Sequence, residues 1–505
     1  MHEFDDLRVL VQAHSPLIVI ESYEEPRALL LIKRLAVNLM RPVFKWTITD
    51  GLQRLDSEQG SQAFNADPTN LLAQIKGTRN SSIYVLCDFH PFLSDPKHVR
   101  YIKEIAQAHE QLGHTLILLS HAIDVPPELS RLCYRFALSL PSDQQIRQLI
   151  HDMADSYAAK TGMLAELTAE NVSLLLQNLR GLTFDEVKRL AYKAIADDGA
   201  ITQADIPRIN RAKFSLLQTD GVLSQVFDSV SFANVIGLTN LKHWLSQRQQ
   251  AFVEQAKDTP KGLLLTGVQG TGKSLAAKAI AGSWHLPLLR LDMAALYNKY
   301  IGETEKNLTQ ALALADAMSP CVLWIDEIEK GLSSGDNDNG VSRRLLGSFL
   351  TWLSERKSQV FLVATANNIH DLAPELLRKG RFDEIFFVDL PALPERKEIF
   401  TIHLRKRGRE VTNHDVDLLA RKATGFSGAE SEQVVVSAMY TSFHDGARVL
   451  TDSDMLDVIK VSVPLSRTMR EGIAELRYWA TDRARPVASG EAEDLDMDYT
   501  DDDTA

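Results

Sequence analysis

Residues 267–274 carry the most informative pattern in this chain, and they read Gly267-Val268-Gln269-Gly270-Thr271-Gly272-Lys273-Ser274. The pattern is G-x-x-x-x-G-K-[ST], in which glycines leave room for backbone N–H groups to converge on phosphate oxygens. An apolar run at 262–266 precedes it, and an alanine-rich run at 275–281 follows it. This order predicts a buried strand, a loop, and a helix whose positive N-terminus points at the same phosphates.

Two side chains of this loop have specific expected roles. Lys273 would reach the β- and γ-phosphates, and the hydroxyl of Ser274 would ligate Mg²⁺. A glycine-rich surface turn is the alternative interpretation, but the strand and helix on either side argue against it. We therefore expect ATP and Mg²⁺ to bind here, with all residues from 267 to 274 contributing to the site.

A second acidic motif lies downstream, where the apolar run 321–325 ends in Asp326 and Glu327. Paired acids at the end of a buried strand, in a chain that has a phosphate loop, suit the chemistry of ATP hydrolysis. Asp326 would hold the Mg²⁺ shell, and Glu327 would polarise the water that attacks the γ-phosphate. The alternative is a strand end that simply meets solvent.

Polar residues also follow the apolar run 360–365. Asn367 could orient the attacking water from the carboxyl edge of the sheet, where ligands bind in open α/β folds. Arg378 and Arg381 flank a glycine turn, and each could donate a planar fork of N–H groups to phosphate oxygens. Two solvated surface arginines would explain the spacing of this pair equally well.

The order of these motifs resembles the AAA branch of the AAA+ ATPases. Two further motifs extend the resemblance over roughly residues 228–470. They are Val235-Ile236-Gly237-Leu238 ahead of the phosphate loop and Thr424-Gly425-Phe426-Ser427-Gly428-Ala429-Glu430 after it. The resemblance implies that Asn367 is sensor 1 and that Gly237 lies beside the adenine. It also implies that Arg378 and Arg381 are arginine fingers acting on the ATP of a neighbouring subunit.

Fingers that act on a neighbour have a consequence for assembly. Hydrolysis would require a completed subunit interface, and repetition of one heterologous contact makes a ring or a spiral. AAA relatives are mostly hexamers, so the resemblance implies a homo-hexamer.

Residues 298–305 resemble the central-pore loop of AAA proteins, with Tyr300 at the aromatic position and Lys299 beside it. An aromatic ring there can grip an extended polypeptide by packing against side chains of many types. The alternative is a core tyrosine in an ordinary turn between helices. The pore interpretation predicts an unidentified protein client.

The first half of the chain repeats parts of this pattern. Leu17–Glu21 is an apolar run followed by a helical pattern, and residues 83–89 resemble an Asp-Glu strand that has lost its glutamate. Residues 115–121 lie where the sensor strand would be.

The corresponding phosphate loop is missing from this half. Residues 22–27 contain neither glycine nor lysine, and two glutamates among them would repel a triphosphate. We therefore interpret residues 1–210 as a degenerate AAA-like module that does not hydrolyse ATP and serves as a scaffold, docking or regulatory element. An unrelated α/β partner domain is the alternative.

The predicted fold class is α/β, a P-loop AAA+ module with a parallel sheet and a helical lid, preceded by the degenerate module. The expected boundaries are 1–210 for the degenerate module, 211–227 for a linker, 228–390 for the ATPase core, 391–480 for the lid and C-terminal helix, and 481–505 for a disordered acidic tail.

The amino-acid composition limits the classes of binding partner and the cellular compartments that we expect for this protein. The net charge is −12, and the last fifteen residues hold eight acidic residues and no Lys or Arg. This balance argues against nucleic-acid binding, which favours clustered basic residues. No apolar run is long enough for a membrane span, and the three cysteines lack metal-binding spacing. We expect the bacterial cytoplasm or an organelle stroma.

These observations favour an ATP-hydrolysing ring motor that remodels or disassembles protein clients. The alternatives are a nucleic-acid-associated motor or loader, and a regulatory switch driven by ATP. The whole chain also resembles the AAA family found in cyanobacteria and, as a hypothetical chloroplast reading frame, in algal plastid genomes.

Overall fold

The computed structural model describes residues 2–13, 15–55, 63–197, 199–217, 222–227, 232, 235–253, 259–296, 303–332, 341–378, 380–446 and 448–488. The chain divides into two compact units, Met1–Ser142 with Thr183–Val187, and Asp143–Leu182 with Lys188–Ala505. Each unit is built around one mainly parallel β-sheet.

The sheet of the first unit has six strands: β1 (Leu17–Glu21), β2 (Val43–Thr47), β3 (Gly51–Arg54), β4 (Ile83–Cys87), β5 (Thr115–Ser120) and β6 (Cys133–Phe136). They are arranged in the order β3-β2-β4-β5-β1-β6, and only the β2–β3 pair is antiparallel. The helices of this part are α1 (His2–Gln12), α2 (Glu25–Asn38), α3 (Pro68–Gly77), α4 (Pro96–Gln107) and α5 (His109–Leu112).

Apolar strands explain why this sheet is covered on both faces. Every residue of β4 and β5 is buried, which is typical of parallel strands with helices on either side. Along β1, Leu17 and Val19 pack into one core, whereas Ile18 and Ile20 pack into the other. This alternation follows from the two-residue period of a strand.

Four further helices follow: α6 (Asp143–Thr161), α7 (Ala169–Leu179), α8 (Phe184–Ala196) and α9 (Ile206–Leu217). Within the second unit, Arg180 forms an ion pair with Asp143 at 2.6 Å and donates a hydrogen bond to the side chain of Gln359. The buried ammonium group of Lys213 donates to the carbonyl oxygen of Arg180.

The sheet of the second unit has seven strands: β7 (Leu223–Val226), β8 (Gly262–Gly267), β9 (Leu288–Leu291), β10 (Cys321–Ile325), β11 (Val360–Ala366), β12 (Glu384–Val388) and β13 (Arg485–Pro486). Their order is β13-β12-β8-β11-β10-β9-β7, and only β7 is antiparallel to its neighbour. The helices are α10 (Thr239–Val253), α11 (Lys273–Trp284), α12 (Met293–Leu296), α13 (Glu303–Ala317), α14 (Val341–Glu355), α15 (Leu393–Lys406), α16 (Val416–Lys422), α17 (Gly428–His444), α18 (Asp452–Val461), α19 (Leu465–Thr468) and α20 (Arg470–Thr481).

Helices α15 to α18 form a small helical lid with its own apolar core. The guanidinium group of Arg396 is buried in this lid, where it donates to the carbonyl oxygens of Pro391 and Ala420 at 2.7 and 2.9 Å. Ser427 begins α17 with a reciprocal capping arrangement in which it pairs with Glu430.

The two sheets have matching strand orders. Starting from the antiparallel edge, β3-β2-β4-β5-β1-β6 corresponds to β7-β9-β10-β11-β8-β12, and β13 is the additional strand of the second unit. The antiparallel edge strand follows its neighbour in the first unit, whereas β7 precedes the rest of its sheet. A mainly parallel α/β sheet in each half was expected from the strand–helix repeats of the sequence.

Three short segments lie differently from the expected domain boundaries. Residues 211–217 belong to α9 and Leu223–Val226 form an edge strand, although both fall in the expected linker. Arg485–Pro486 pair with β12 at the opposite edge, and Val487 is buried, although both fall in the expected tail. Sheet edges leave unpaired backbone groups, and a strand of two to four residues can satisfy them without showing any periodicity in sequence.

Among the described helices, the combination of length and apolarity needed to cross a bilayer is not found.

Candidate active site

The phosphate loop connects the end of β8 to the start of α11. Gly270 and Gly272 adopt φ values of 78° and 93°, a region that residues with a Cβ rarely occupy. At Gly267, a Cβ would overlap the carbonyl oxygen of Val388, so glycine is needed where β8 approaches β12. These glycines leave the N-terminus of α11 open to an anion, as the sequence pattern predicts.

Lys273 is buried at the first position of α11. Its ammonium group donates to the carbonyl oxygens of Gly267 and Val268 at 2.9 and 2.7 Å. Burial lowers the pKa of this lysine to about 8, and the charges of Glu329, Asp326 and Glu327 partly oppose the shift. The protein alone therefore stabilises the protonated form of Lys273 only in part. A bound triphosphate would raise the pKa of this lysine and stabilise its charge.

Asp326 lies directly after β10 and accepts hydrogen bonds from two hydroxyl groups. Ser274 donates to its Oδ1 at 3.0 Å, and Thr365 donates to the same oxygen at 2.7 Å. A serine hydroxyl beside a carboxylate is an all-oxygen donor set of the kind that Mg²⁺ prefers. The residues present therefore fit the Mg²⁺ site predicted at Ser274 and Asp326.

Glu327 follows Asp326 in a left-handed backbone conformation, with φ of 51°. Its backbone N–H donates to the hydroxyl of Thr365 at 3.0 Å, which holds the turn against β11. The side-chain amide of Asn367 donates to Glu327 Oε1 at 2.7 Å, and Lys330 forms an ion pair with the other oxygen. The structure thus brings the predicted base and the predicted sensor into direct contact.

Sequence reasoning did not identify Thr365 and Glu329 as parts of this site. Thr365 joins Asp326 to the backbone of Glu327 and is only 1% exposed. Glu329 is also buried, and its carboxylate accepts the backbone N–H of Asn367 at 2.9 Å. Burial raises the pKa of Glu329, whereas that hydrogen bond opposes the rise. In the sequence, Thr365 was recognisable only as a hydroxyl residue two positions before Asn367, and Glu329 only as an acid two positions after Glu327.

A cavity of about 380 Å³ lies beside the phosphate loop. Its walls come from the segment before α10, the phosphate loop, the end of β12, the lid and the C-terminal helix; they include Ile236, Leu238, Thr271, Ile399, Gly428 and Val487. Gly237 lies between two of these lining residues with φ of 66°, and a Cβ there would overlap the carboxylate of Glu395. The position and size of this mostly apolar cavity suit an adenine ring next to the predicted phosphate site.

The lid contacts the phosphate loop directly. The backbone N–H of Ala429, in the first turn of α17, donates to the carbonyl oxygen of Gly270 at 3.0 Å. Glu430 in the same turn accepts the N–H of Leu465 at 2.7 Å, which connects the lid to the C-terminal helices. A ligand that moves the phosphate loop would therefore also move the lid.

The remaining predicted site residues lie elsewhere. Arg378 is exposed, and Arg381 is partly buried with its guanidinium group donating to the carbonyl oxygen of Glu375. Both precede β12, in the segment that connects it to β11. Lys299 and Tyr300 lie outside the described residues.

Comparisons with known proteins agree with this geometry. The family described as "ATPase family associated with various cellular activities (AAA)" matches residues 263–390. The "SpoVK-like AAA ATPase, N-terminal domain" matches residues 4–138, and the second domain of that family matches residues 144–220.

Individual relatives extend the similarity over nearly the whole chain. The "Uncharacterized AAA domain-containing protein ycf46" of Guillardia theta is 37% identical over 486 residues, which cover 94% of each chain. The protein of the same description from Pyropia yezoensis is 38% identical, over 96% of this chain and 99% of its own length. The chain belongs to the ycf46 family of AAA ATPases.

A more distant relative covers less than half of this chain. The proteasome-activating nucleotidase of Aeropyrum pernix is 38% identical over 224 residues, which are 43% of this chain and 54% of that protein. Family membership confirms the predicted AAA resemblance, the α/β fold class with its N-terminal module, and ATP hydrolysis to ADP and phosphate as the activity. The roles of individual residues in that reaction stay predictions.

The pKa of Lys273 leads to a pH dependence of nucleotide affinity. Above pH 8, Lys273 of the nucleotide-free protein loses its proton. Bound phosphates would keep Lys273 protonated, so nucleotide binding at this pH must take up a proton. We expect the Kd for Mg·ATP, measured by fluorescence of a labelled analogue, to rise by up to about tenfold per pH unit between pH 8 and 9.5. Lys273→Arg, which stays charged, should show a flat profile. A flat profile for the wild type would contradict the assignment.

Thr365 offers a test of the hydroxyl that joins Asp326 to Glu327. Thr365→Val keeps the shape but leaves the partly buried N–H of Glu327 without this acceptor, so we expect kcat to fall about tenfold, or ~1.4 kcal/mol in the barrier. Nucleotide affinity should change much less, and Thr365→Ser should retain most activity. Thr266→Val is the matched control, because the buried Thr266 hydroxyl has no hydrogen-bond partner among the described residues. Equal rates for the two valine variants would show that Thr365 has no special role.

Proposed function

We propose that this ATPase works as a homo-oligomeric ring, a hexamer by analogy with AAA relatives, and uses ATP and Mg²⁺ to remodel or disassemble protein clients. The observation that carries the proposal is the separation of roles around the expected γ-phosphate. Four predicted site residues converge at one edge of the sheet: Lys273, Asp326, Glu327 and Asn367. In contrast, the exposed Arg378 lies in a surface segment. This arrangement supports a finger that serves the nucleotide of a neighbouring copy.

The proposed chemistry of one site combines groups of one chain with Mg²⁺ and an arginine from a neighbouring copy. Lys273 and the N-terminus of α11 would bind the phosphates, and Asn367 would orient the carboxylate of Glu327 toward a water molecule. Mg²⁺, when bound at Ser274 and Asp326, would neutralise charge on the transferred phosphoryl group. Arg378 or Arg381 from the neighbour would stabilise the charge that remains on the phosphoryl oxygens.

A protein is the client class that the comparisons favour. The relative from Aeropyrum pernix is named for activating the proteasome, and it is 38% identical to this chain over 224 residues. The net charge of −12 also gives no support to a phosphate-backbone partner. A gripping role for Tyr300, with Lys299 beside it, completes the proposal.

The first unit is proposed as the non-hydrolysing part of the motor. The N-terminus of its helix α2, the counterpart of α11, carries Glu24, which is buried and accepts the backbone N–H of Phe184 at 2.8 Å. Arg27 forms an ion pair with the same carboxylate. Carboxylate therefore occupies the position at which a phosphate loop would present backbone N–H groups, and we assign this unit to docking or regulation.

Mixing two inactive variants tests the trans arrangement. Arg381→Ala keeps its own nucleotide site, and Lys273→Ala keeps its finger, so each alone should hydrolyse ATP at a few per cent of the wild-type rate or less. In randomly mixed rings at equal amounts, about a quarter of all sites pair an intact pocket with an intact finger, so about a quarter of the activity should return. Co-purification through two different tags confirms mixing. Mixed rings without any recovery would refute the trans finger.

Tyr300 separates the protein-remodelling proposal from its alternatives. Casein, an unfolded protein, should stimulate the wild-type ATPase. Tyr300→Ala should lose that stimulation while keeping the basal rate, because the proposal assigns Tyr300 to gripping the client and not to hydrolysis. Tyr300→Phe is the control that keeps the aromatic face. Stimulation by DNA or RNA in place of casein would favour the nucleic-acid motor, and an unchanged response in Tyr300→Ala would favour the regulatory switch.

A further inference from the structure

Three side chains with metal-binding donors meet in the first unit. Asp88 and His90 follow β4, and His121 follows β5, so all three lie at the carboxyl edge of the parallel sheet. One nitrogen from each ring and one carboxylate oxygen lie within 4.8 Å of one another. Asp88 and His121 are exposed and His90 is partly buried, so an ion could enter from solvent.

Ser120 connects the three residues. Its hydroxyl oxygen lies 2.7 Å from Asp88 Oδ1, 2.9 Å from His90 Nδ1 and 3.4 Å from His121 Nδ1. The carboxylate can only accept, so the single hydroxyl proton goes to Asp88 and the serine oxygen is left to accept from the ring of His90. A polar partner that orients ligating histidines and a carboxylate in this way is a regular feature of protein metal sites.

The backbone holds these side chains in place. Asp88 adopts φ of 51°, and its N–H donates to the carbonyl oxygen of Leu119 at 2.9 Å. The carbonyl oxygen of Ser120 accepts the N–H of Ser22 at 2.8 Å, which ties the end of β5 to the end of β1. The rings of His90 and His121 also touch edge to face, with centroids 5.1 Å apart.

The same place in the second unit is the predicted Mg²⁺ site. Asp88 accepts from Ser120 on the neighbouring strand just as Asp326 accepts from Thr365. The donor sets differ: the hydroxyl of Ser274 and the carboxylate of Asp326 are oxygen ligands, whereas the first unit adds two imidazoles to its carboxylate. Imidazole nitrogen suits zinc and other first-row transition metals rather than magnesium.

We propose that Asp88, His90 and His121 bind a divalent transition-metal ion of the zinc class. In a tetrahedral zinc site the ligand atoms lie about 3.3 Å apart. Side-chain rotations that move the ligand atoms by about one to two ångströms would bring the three residues to that spacing. Three protein ligands leave a fourth position for water or an external donor. The ion joins the ends of β4 and β5, and it gives the non-hydrolysing unit a ligand of its own.

Zinc titration of the full-length, chelator-treated, nucleotide-free protein tests the proposal. We expect calorimetry to show one equivalent of Zn²⁺ bound at micromolar or lower concentration, and Co²⁺ to give the visible absorption of a site with nitrogen ligands. Mg²⁺ should not compete. The double substitution His90→Ala with His121→Ala should abolish this binding, and Ser120→Ala should weaken it ten- to a hundredfold.

Two controls keep the outcome decisive. His151→Ala removes an exposed histidine outside the cluster and should leave zinc affinity unchanged. If the double variant does not fold by circular dichroism, the single variant of the exposed His121 replaces it and should lower affinity at least tenfold. Absence of micromolar zinc binding by the wild type, or equal binding by the wild type and a folded histidine variant, would overturn the proposal.

Discussion

The carboxylate of Asp326 accepts hydrogen bonds from two parts of the chain that are far apart in sequence. Ser274 reaches it from the helix that follows the phosphate loop, and Thr365 reaches it from the neighbouring strand. Because the hydroxyl of Thr365 also accepts the N–H of Glu327, the predicted metal-binding acid and the predicted catalytic base are positioned by one buried group. The parallel order of β8, β11 and β10 makes this possible, since all three strands end at the same edge.

Burial gives this edge its chemical character. Lys273 is buried, and burial lowers its pKa to about 8, although the nearby acids oppose this shift and two loop carbonyl oxygens accept hydrogen bonds from its ammonium group. The lid contacts the same loop through the hydrogen bond from the N–H of Ala429 to the carbonyl oxygen of Gly270. In the proposed motor, this contact would transmit the nucleotide state of the loop to the lid.

The two halves of the chain show how one sheet order can carry different chemistry. Each half places an acid after one strand and a hydroxyl on the next, at Asp326 with Thr365 and at Asp88 with Ser120. The second half adds a glycine-rich loop and a lysine, which suit phosphate. The first half has Glu24 and Arg27 where that loop would be, and two histidines beside its acid. The first half therefore has a polar edge of different composition, which the proposed metal site would use.

Local patterns predicted the parallel α/β fold, the phosphate loop, Asp326, Glu327 and Asn367, because glycine spacing and apolar strands that end in polar residues are readable along the chain. The short edge strands at Leu223–Val226 and Arg485–Pro486 were not readable, since pairing with β9 and β12 defines them and periodicity does not. Thr365 and Glu329 were missed for a related reason. Each is an ordinary residue in sequence, and each becomes part of the site only because folding removes it from water beside Asp326 or Asn367. Partnerships between distant strands depend on sheet order, which a single sequence does not display.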